Sequence, residues 1–391
     1  MGVTLQDILA RSLPDYLRTH RVLRHVREAA WALVHCRTAA LGGHAKSCPE
    51  GHVTRVWYNS CRHRCCPQCT YRQIETWLRA QVAKLLPCEY FHVVFTLPEE
   101  LRLLWRWNPE RMADLLFRSA RDVLMTMLVD PRHLGARPGM VATLHTWSRT
   151  LVLHPHVHLL VTGGGLTPEG RWKPVRNGFL LPVRAVRKLY RGMVLGRLGQ
   201  WLKAGQLALP PDLSREAAQE LLQRAAQKKW SVRIKERYPY GRGVVTYLAR
   251  YVRGGPIKNG RLEGFDGQTV TFRYGDLQDR DASGRPTIKR MTLPVAEFLR
   301  RLLLHVPLPG QRVVRCYGLF HHTQREDFER CREQLAGTLP PAPTAKVPPP
   351  PPATHKVPDP NRCPVCGQRL VVTEVLPRSG APPLALRREA A

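Results

Sequence analysis

Apolar residues recur at helical spacing from the start of the chain. Leu5, Ile8, Leu9, Leu13, Tyr16 and Leu17 form one stripe, and Val22, Leu23 and Val26 continue in a second segment. The pattern predicts helix over residues 1 to about 35. Between 36 and 69 cysteines take over, and a polar helix is predicted for TYRQIETWLRAQVAKLL, residues 70–86. The β-branched and aromatic run EYFHVVFTLP (89–98) reads as a strand ending at Pro98. Residues 110–129 read as helix. Two further strand-like runs follow, GMVATLHTW (139–147) and HPHVHLLV (154–161), the second closed by Gly163, Gly164 and Gly165. Helical patterns return near 183–202 and 214–228. After Trp230 the pattern is mixed, with a strand-like TVTFRY at 269–274.

Strands and helices therefore alternate irregularly over residues 87–322, which favours an α+β class over a doubly wound parallel sheet. The segment from Pro340 to Pro360 contains five consecutive prolines (348–352) and reads as an extended, semi-rigid linker. It sets apart a tail, 361–391, carrying CPVCG. The expected organisation is a helical and cysteine-rich domain at 1–86, a larger α+β domain at 87–322, a helix and proline-rich linker at 323–360, and the tail.

Charge narrows the function. The 61 Lys and Arg against 30 Asp and Glu leave a formal net charge of +31. Such an excess repels itself, so a polyanionic partner is expected, and DNA or RNA gains affinity by releasing counterions from its phosphates. No apolar stretch of about 18 residues is present to cross a membrane. The opening MGVTLQDILARSLPDYL lacks the apolar core of a secretion signal. A cytoplasmic, nucleoid-associated protein is expected, and the 11 cysteines then point to metal rather than disulfides.

The cysteines concentrate in CRTAALGGHAKSCPEGHVTRVWYNSCRHRCCPQC. Cys66 and Cys69 form a C-x-x-C knuckle, and Cys48 with His52 is a candidate for the other half of a tetrahedral zinc site. Cys61 and Cys36 lie within reach, as do His44, His63 and Cys65, and two zinc ions are an open alternative. Cys363 and Cys366 in the tail make half a site, which Cys316, Cys331, His321 or His322 would have to complete. Cys88 reads as core.

A second constellation is LVLHPHVHLLV. Residues two apart on a strand face the same way, so His156 and His158 share a face while Val157, Leu159 and Val161 enter the core behind them. If the preceding run pairs antiparallel, His145 joins them as a third ligand. His154 has the right parity, but Pro155 and its place at the strand start weigh against it. With 16 histidines in the chain, chance pairing is an even alternative. The third element is GVVTYLARYVRGG. Tyr247 and Tyr251 are four apart and share a helix face, flanked by Arg250 and Arg253, with Gly254 and Gly255 as a stop. Alone, the pair reads better as semi-buried packing on an ordinary amphipathic helix. A tyrosine hydroxyl, with a free pKa near about 10, attacks phosphorus only when a cation and arginines assist.

Together these motifs resemble transposases of the insertion sequence ninety-one family, rolling-circle nucleases with a histidine–hydrophobic–histidine (HUH) strand and two tyrosines. The resemblance spans about Cys36 to His322. It includes CRTAALGGH, SCRHRCCPQC, EYFHVVFTLP, ATLHTWSRTLVLHPHVH, TYLARYVRG and MTLPVAEFLRRLLLHVPLPGQRVVRCYGLF, in order. It implies a palm-like catalytic domain, an antiparallel sheet with flanking helices, and a structural Zn2+ in the N-terminal domain. It implies a catalytic Mg2+ or Mn2+ on His156 and His158, with His145 as the third ligand, and Tyr247 and Tyr251 as nucleophiles forming 5′-phosphotyrosine. Its partner would be single-stranded or hairpin DNA at element ends, bound by a monomer or homo-oligomer. Many relatives carry a second C-x-x-C where this chain reads CPEGH, so His52 would stand in for a cysteine. The rival readings are a plasmid replication initiator or relaxase with the same chemistry, a non-catalytic zinc-finger DNA-binding protein, and a transposase using clustered carboxylates.

Overall fold

The computed structural model describes residues 2–69, 85–238, 255–336, 359 and 361–379. The first helices fall where the apolar stripes place them, as α1 (Leu5–Thr19) and α2 (Arg24–Val34). Thr4 starts α1 with a capping box, its side chain accepting from the Asp7 amide while Asp7 accepts from the Thr4 amide. Two short strands follow, β1 (Gly43–Ser47) and β2 (Thr54–Tyr58). The polar helix expected at 70–86 lies almost wholly outside the described residues.

The largest sheet is built from β3 (Tyr90–Thr96), β4 (Gly139–Trp147), β5 (Leu153–Thr162), β8 (Val232–Tyr238) and β12 (Val314–Gly318). Its order is β12-β4-β5-β3-β8, with every neighbouring pair antiparallel. The short pair β6 (Gly164–Leu166) and β7 (Trp172–Pro174) extends from the end of β5. Strand period decides which side is buried. Phe91, Val93 and Phe95 of β3 lie level with Val161, Leu159 and Val157 of β5, and Met140, Ala142 and Leu144 of β4 complete the face. Helices α3 (Arg102–Trp107), α4 (Pro109–Val129), α5 (Val183–Lys203) and α6 (Arg215–Gln227) cover it as one apolar core. Phe95 meets Tyr190 edge-on at 4.9 Å between ring centroids, and Tyr190 meets Trp230 at 5.2 Å. This is the α+β arrangement of an antiparallel sheet with flanking helices.

The opposite face is divided. At one end Tyr90, Val141 and Leu160 pack with Leu319 and with Cys331 and Leu335 of α8 (Arg325–Leu335). At the other end it carries histidines.

A second core joins α1 and α2 to the sheet of β9 (Leu262–Phe265), β10 (Thr269–Arg280) and β11 (Pro286–Pro294) and to α7 (Val295–Leu303). Phe272 and Phe298 meet there, and Cys36, Cys65, Cys66 and Cys69 lie in the same core. The segments at 5–36 and 61–69 and around 257–303 are thus one packing unit, although the sequence pattern separates them into two domains.

The tail differs most from its sequence reading. Its β13 (Val371–Leu376) pairs antiparallel with β1, giving a sheet of order β13-β1-β2. Gly42 permits the approach: at φ +68° it lies so close that a Cβ would stand 2.7 Å from the Leu376 carbonyl oxygen. Local pattern carries no information about this pairing, because the partner strand lies more than 300 positions away, beyond the proline-rich linker.

Leu159 is fully buried between the sheet and the helices. Leu159→Ala should lower unfolding stability by about 2–5 kcal/mol, read from the denaturant midpoint.

Candidate metal centres

The antiparallel register of β4 and β5 puts His145 directly opposite His156 and Thr143 opposite His158. Because β5 alternates, His156 and His158 face away from the helix-covered core into which Val157 and Leu159 point. Each of the three imidazoles offers a ring nitrogen within 4.8 Å of the others. Their ring centroids lie 4.6–5.4 Å apart. His154, of the same parity, is outside this group and contributes its backbone instead.

Hydrogen bonding sets which nitrogen is free. The Nδ1–H of His156 donates to the His154 carbonyl at 2.6 Å, leaving Nε2 with a lone pair. The Nδ1 of His158 meets Nε2 of His92 at 2.8 Å. A bond donated by His158 in this pair leaves its own Nε2 available in the same way. His92 sits on β3, level with Leu160, and is buried. The sequence pattern gives its strand without marking His92 as a site residue. The available signal was a lone histidine inside a continuous apolar run, at the parity that faces away from Phe91, Val93 and Phe95.

Burial also keeps the ligands neutral. It lowers His156 to about 4 and holds His158 well below the ordinary histidine value, helped there by His156, His145 and His92. His154 is lowered by burial and then by Arg102 and Arg233. A cluster of neutral imidazoles with inward lone pairs fits a divalent cation. Two cations flank it, since Arg233 and Lys235 on edge strand β8 lie level with Val94 and His92.

Beside the cluster Trp147 stacks on His145, with ring centroids 4.5 Å apart, where the β4–β5 register shifts. Trp147 lines a cleft of 370 Å³ with Trp105, Arg21, Arg64, Arg106 and Arg300. His305 closes its floor, donating from Nε2 to the Leu151 carbonyl and accepting from Thr146 at Nδ1. Tyr247, Tyr251, Arg250 and Arg253 lie outside the described residues. Of the residues bracketing them, Gly255 packs against the Arg64 backbone, and the Arg64 guanidinium lies 3.5 Å from the carbonyl of Leu144, next to His145.

The cysteines form two clusters among the described residues. Cys36, Cys61, Cys66 and Cys69 converge within 4.8 Å, with Cys69 Sγ 3.1 Å from Cys36 and 3.4 Å from Cys61. All are free thiols. Sulfurs about 3.8 Å apart are expected around a tetrahedral zinc with bonds of about 2.3 Å, so this buried set fits Zn2+. Hydrogen bonds from Cys36, Cys61 and Cys66 pull the Cys69 thiol towards thiolate. Gln6 ties the knuckle to α1, donating to the carbonyls of Val34 and Cys36 and accepting from Gln68. Cys65 is not in the set. It faces the His305 carbonyl, and burial pushes its thiol up to about 12. Burial does the same to Cys88, a core residue.

Cys48 and His52 do not complete the Cys66–Cys69 knuckle. They lie with Cys363 and Cys366, which replaces Cys316, Cys331, His321 and His322 as the other half of the tail site. The reason is the β13–β1 pairing, which local spacing does not reveal.

Two outcomes follow for the histidines. His92→Ala should weaken Mn2+ binding about 10–100-fold in a titration, with His92→Gln recovering part of the loss. The second concerns pH. The folded values of His154, His156, His158 and His305 lie below the ordinary 6.5, so the unfolded chain takes up protons that the folded chain excludes. Without added divalent cation, Tm should fall as pH drops from about 6.5 to about 4, and His156→Gln should flatten that slope.

Comparison with known proteins bears on both kinds of centre. Residues 139–327, which hold the three histidines, match a family model described as "Putative transposase", and residues 8–97 match that of a transposase zinc-binding domain. The chain is similar to "Putative transposase y4qJ" of Sinorhizobium fredii, 37% identical over 346 residues, covering 87% of this chain and 86% of that one. It is 32% identical over 359 residues to the transposase for insertion sequence element IS801 of Pseudomonas savastanoi pv. phaseolicola, covering 89% and 83%. A solved conjugative relaxase, TrwC, bound to oriT DNA in metal-bound form, aligns with 59% of this chain and 91% of its own. Its identity is 14% and its TM-score 0.25, too low to bear on the assignment. With both family models in the order of the two centres and two transposases matched over most of their length, the chain belongs to the IS91 family of transposases and carries that family's zinc-binding domain.

Proposed function

We propose that this transposase cleaves and rejoins single-stranded DNA at the ends of a mobile element through 5′-phosphotyrosine intermediates. The observation that carries the reading is the convergence of His145, His156 and His158 on one sheet face beside a basic, aromatic cleft. These histidines would hold a divalent cation, which supplies Lewis-acid polarisation of the scissile phosphate. An all-imidazole set suits Mn2+ better than Mg2+, which prefers oxygen ligands.

The rest belongs to the chain. Arg233 and Lys235, level with Val94 and His92 on the neighbouring strand, would contact phosphates flanking the cut. The Trp147 ring offers a stacking surface for an unpaired base, which single strands present and duplexes do not. The hydroxyl oxygen of Tyr247 or Tyr251 attacks phosphorus in line. The P–O bond to the 3′ oxygen breaks, that oxygen takes a proton, and a tyrosine–phosphate ester forms. Rejoining reverses these bonds with a new 3′-hydroxyl as nucleophile. One phosphodiester is exchanged for another, so no nucleotide hydrolysis is required. Gly255, four residues after Tyr251 in the sequence, lies against the Arg64 backbone, and the Arg64 guanidinium donates to the Leu144 carbonyl on the strand that carries His145, which supports Tyr247 and Tyr251 as the nucleophiles. The Cys36–Cys61–Cys66–Cys69 cluster would hold the domain's Zn2+.

Incubated with Mn2+ and a single strand containing its element end, the protein should form a denaturant-stable adduct joined to the 5′ phosphate of the downstream DNA. His156→Ala and His158→Ala should abolish the adduct with DNA affinity within a few-fold of wild type, because affinity rests on phosphate contacts. Tyr247→Phe and Tyr251→Phe singly should retain one cleavage, and the double variant should form no adduct. An adduct from the folded double variant places the nucleophile elsewhere and ends this reading.

A further inference from the structure

We infer that Cys48, His52, Cys363 and Cys366 form a second zinc site, whose ion staples the C-terminal segment onto the N-terminal domain. Their four ligand atoms lie within 4.8 Å of one another. Cys48 Sγ is 3.5 Å from His52 Nδ1 and 3.5 Å from Cys366 Sγ. Around a tetrahedral zinc with bonds of about 2.3 Å to sulfur and about 2.0 Å to nitrogen, such separations are about 3.8 and 3.5 Å. A disulfide needs about 2.05 Å. Three thiolates and one imidazole are a common structural zinc set.

The two halves are built alike. In CPEGH the Gly51 amide donates to the Cys48 carbonyl at 2.9 Å, with Gly51 at φ +74°. In CPVCG the Gly367 amide donates to the Cys363 carbonyl at 2.9 Å, with Gly367 also at φ +74°. The Val365 amide points at Cys363 Sγ from 3.4 Å, a contact that favours a thiolate. Each half is a tight knuckle that presents its ligands to the other.

The surroundings require a staple. The buried residues at this junction are Cys48, Cys363 and Leu370, with Val53 and Trp57 partly buried against them. Five of the six β13 residues are exposed. A strand pairing that buries so little apolar surface is marginal in water. Polar contacts between Lys46 and Asn361 and between Ser47 and Thr373 do not supply the deficit. A cation that binds only the assembled ligands does. Its effect extends beyond the knuckles, because the docked segment delivers Arg378 to a groove of 650 Å³ lined also by Arg37, Arg62, His44, Trp57 and Tyr58.

The test is the zinc content of the purified full-length chain, by elemental analysis, in wild type and three variants. Cys48→Ser should lose one zinc per chain. Cys363→Ser/Cys366→Ser should also lose one, although its changes lie in the other half. The variant combining all three should still lose one, since both halves hold the same ion. The Cys363→Ser/Cys366→Ser protein should also expose residues 359–379 to protease while its DNA adduct still forms. Losses that sum to two, or no loss from either variant, overturn the proposal. The readout is the difference from wild type, so it is independent of whether the Cys36 cluster is filled and of the cleavage chemistry.

Discussion

The arrangement depends on the register of β4 against β5. A slip of one residue between two strands turns every side chain on the moving strand to the other face. Here it would drive His145 into the helix-covered core and leave Leu144 facing His156 and His158 across the sheet. The alternation of Met140, Ala142 and Leu144 with Val141, Thr143 and His145 makes that slip expensive, because one face is sealed by four helices. The hydrophobic core thus does more than stabilise the sheet: it fixes which strand face carries the imidazoles. Burial then keeps those imidazoles neutral, so their lone pairs stay available, and the His154 carbonyl and His92 choose which nitrogen is presented.

The N-terminal domain solves a different problem. Its strands are short and its chain strongly basic, so apolar burial falls short around 43–61 and in the tail. Cysteine clusters take the place of a core there, one merged with the apolar contacts of α1 and α7 and one with almost no apolar support. The first ties the N-terminal helices to residues 257–303, and the second ties a distant segment to β1. The sulfur clusters therefore carry long-range connectivity that side-chain packing carries in the five-stranded sheet.

What was legible in the sequence follows the range of the interactions. The helices at 5–19, 110–129, 183–202 and 214–228 and the strands at 139–147 and 154–161 each carry their own period, and the structure has elements there. The antiparallel pairing that brings His145 to His156 could be stated in advance because one tight connection joins the two strands. The partners of Cys48 and His52 could not, because Cys363 stands 315 residues from Cys48 (363 − 48) and no periodicity relates them. His92 was hidden for another reason. A single histidine in an apolar strand looks like an isolated buried polar residue until its neighbour across β5 is known. Strand β8 alternates only briefly, Val232 and Ile234 with Arg233 and Lys235, before Glu236 and Arg237 follow as further charges on an edge that tolerates them.

The proposed chemistry explains why positioning receives so much of the fold. Exchanging a phosphodiester for a phosphotyrosine is close to balanced in energy, so the protein need not drive the reaction. It must hold the attacking hydroxyl, the phosphorus and the leaving oxygen in line and keep water from competing. A neutral, buried set of histidines adds no net charge of its own, so the cation keeps its full field for the phosphate. The chain's formal charge of +31 is carried by arginines and lysines around and away from the histidines, where it would bind the strand without polarising the scissile phosphate. Affinity and reactivity are thereby assigned to different residues. Under the proposed chemistry, a strand can be exchanged at the charged surface while the centre that reacts with it stays unchanged.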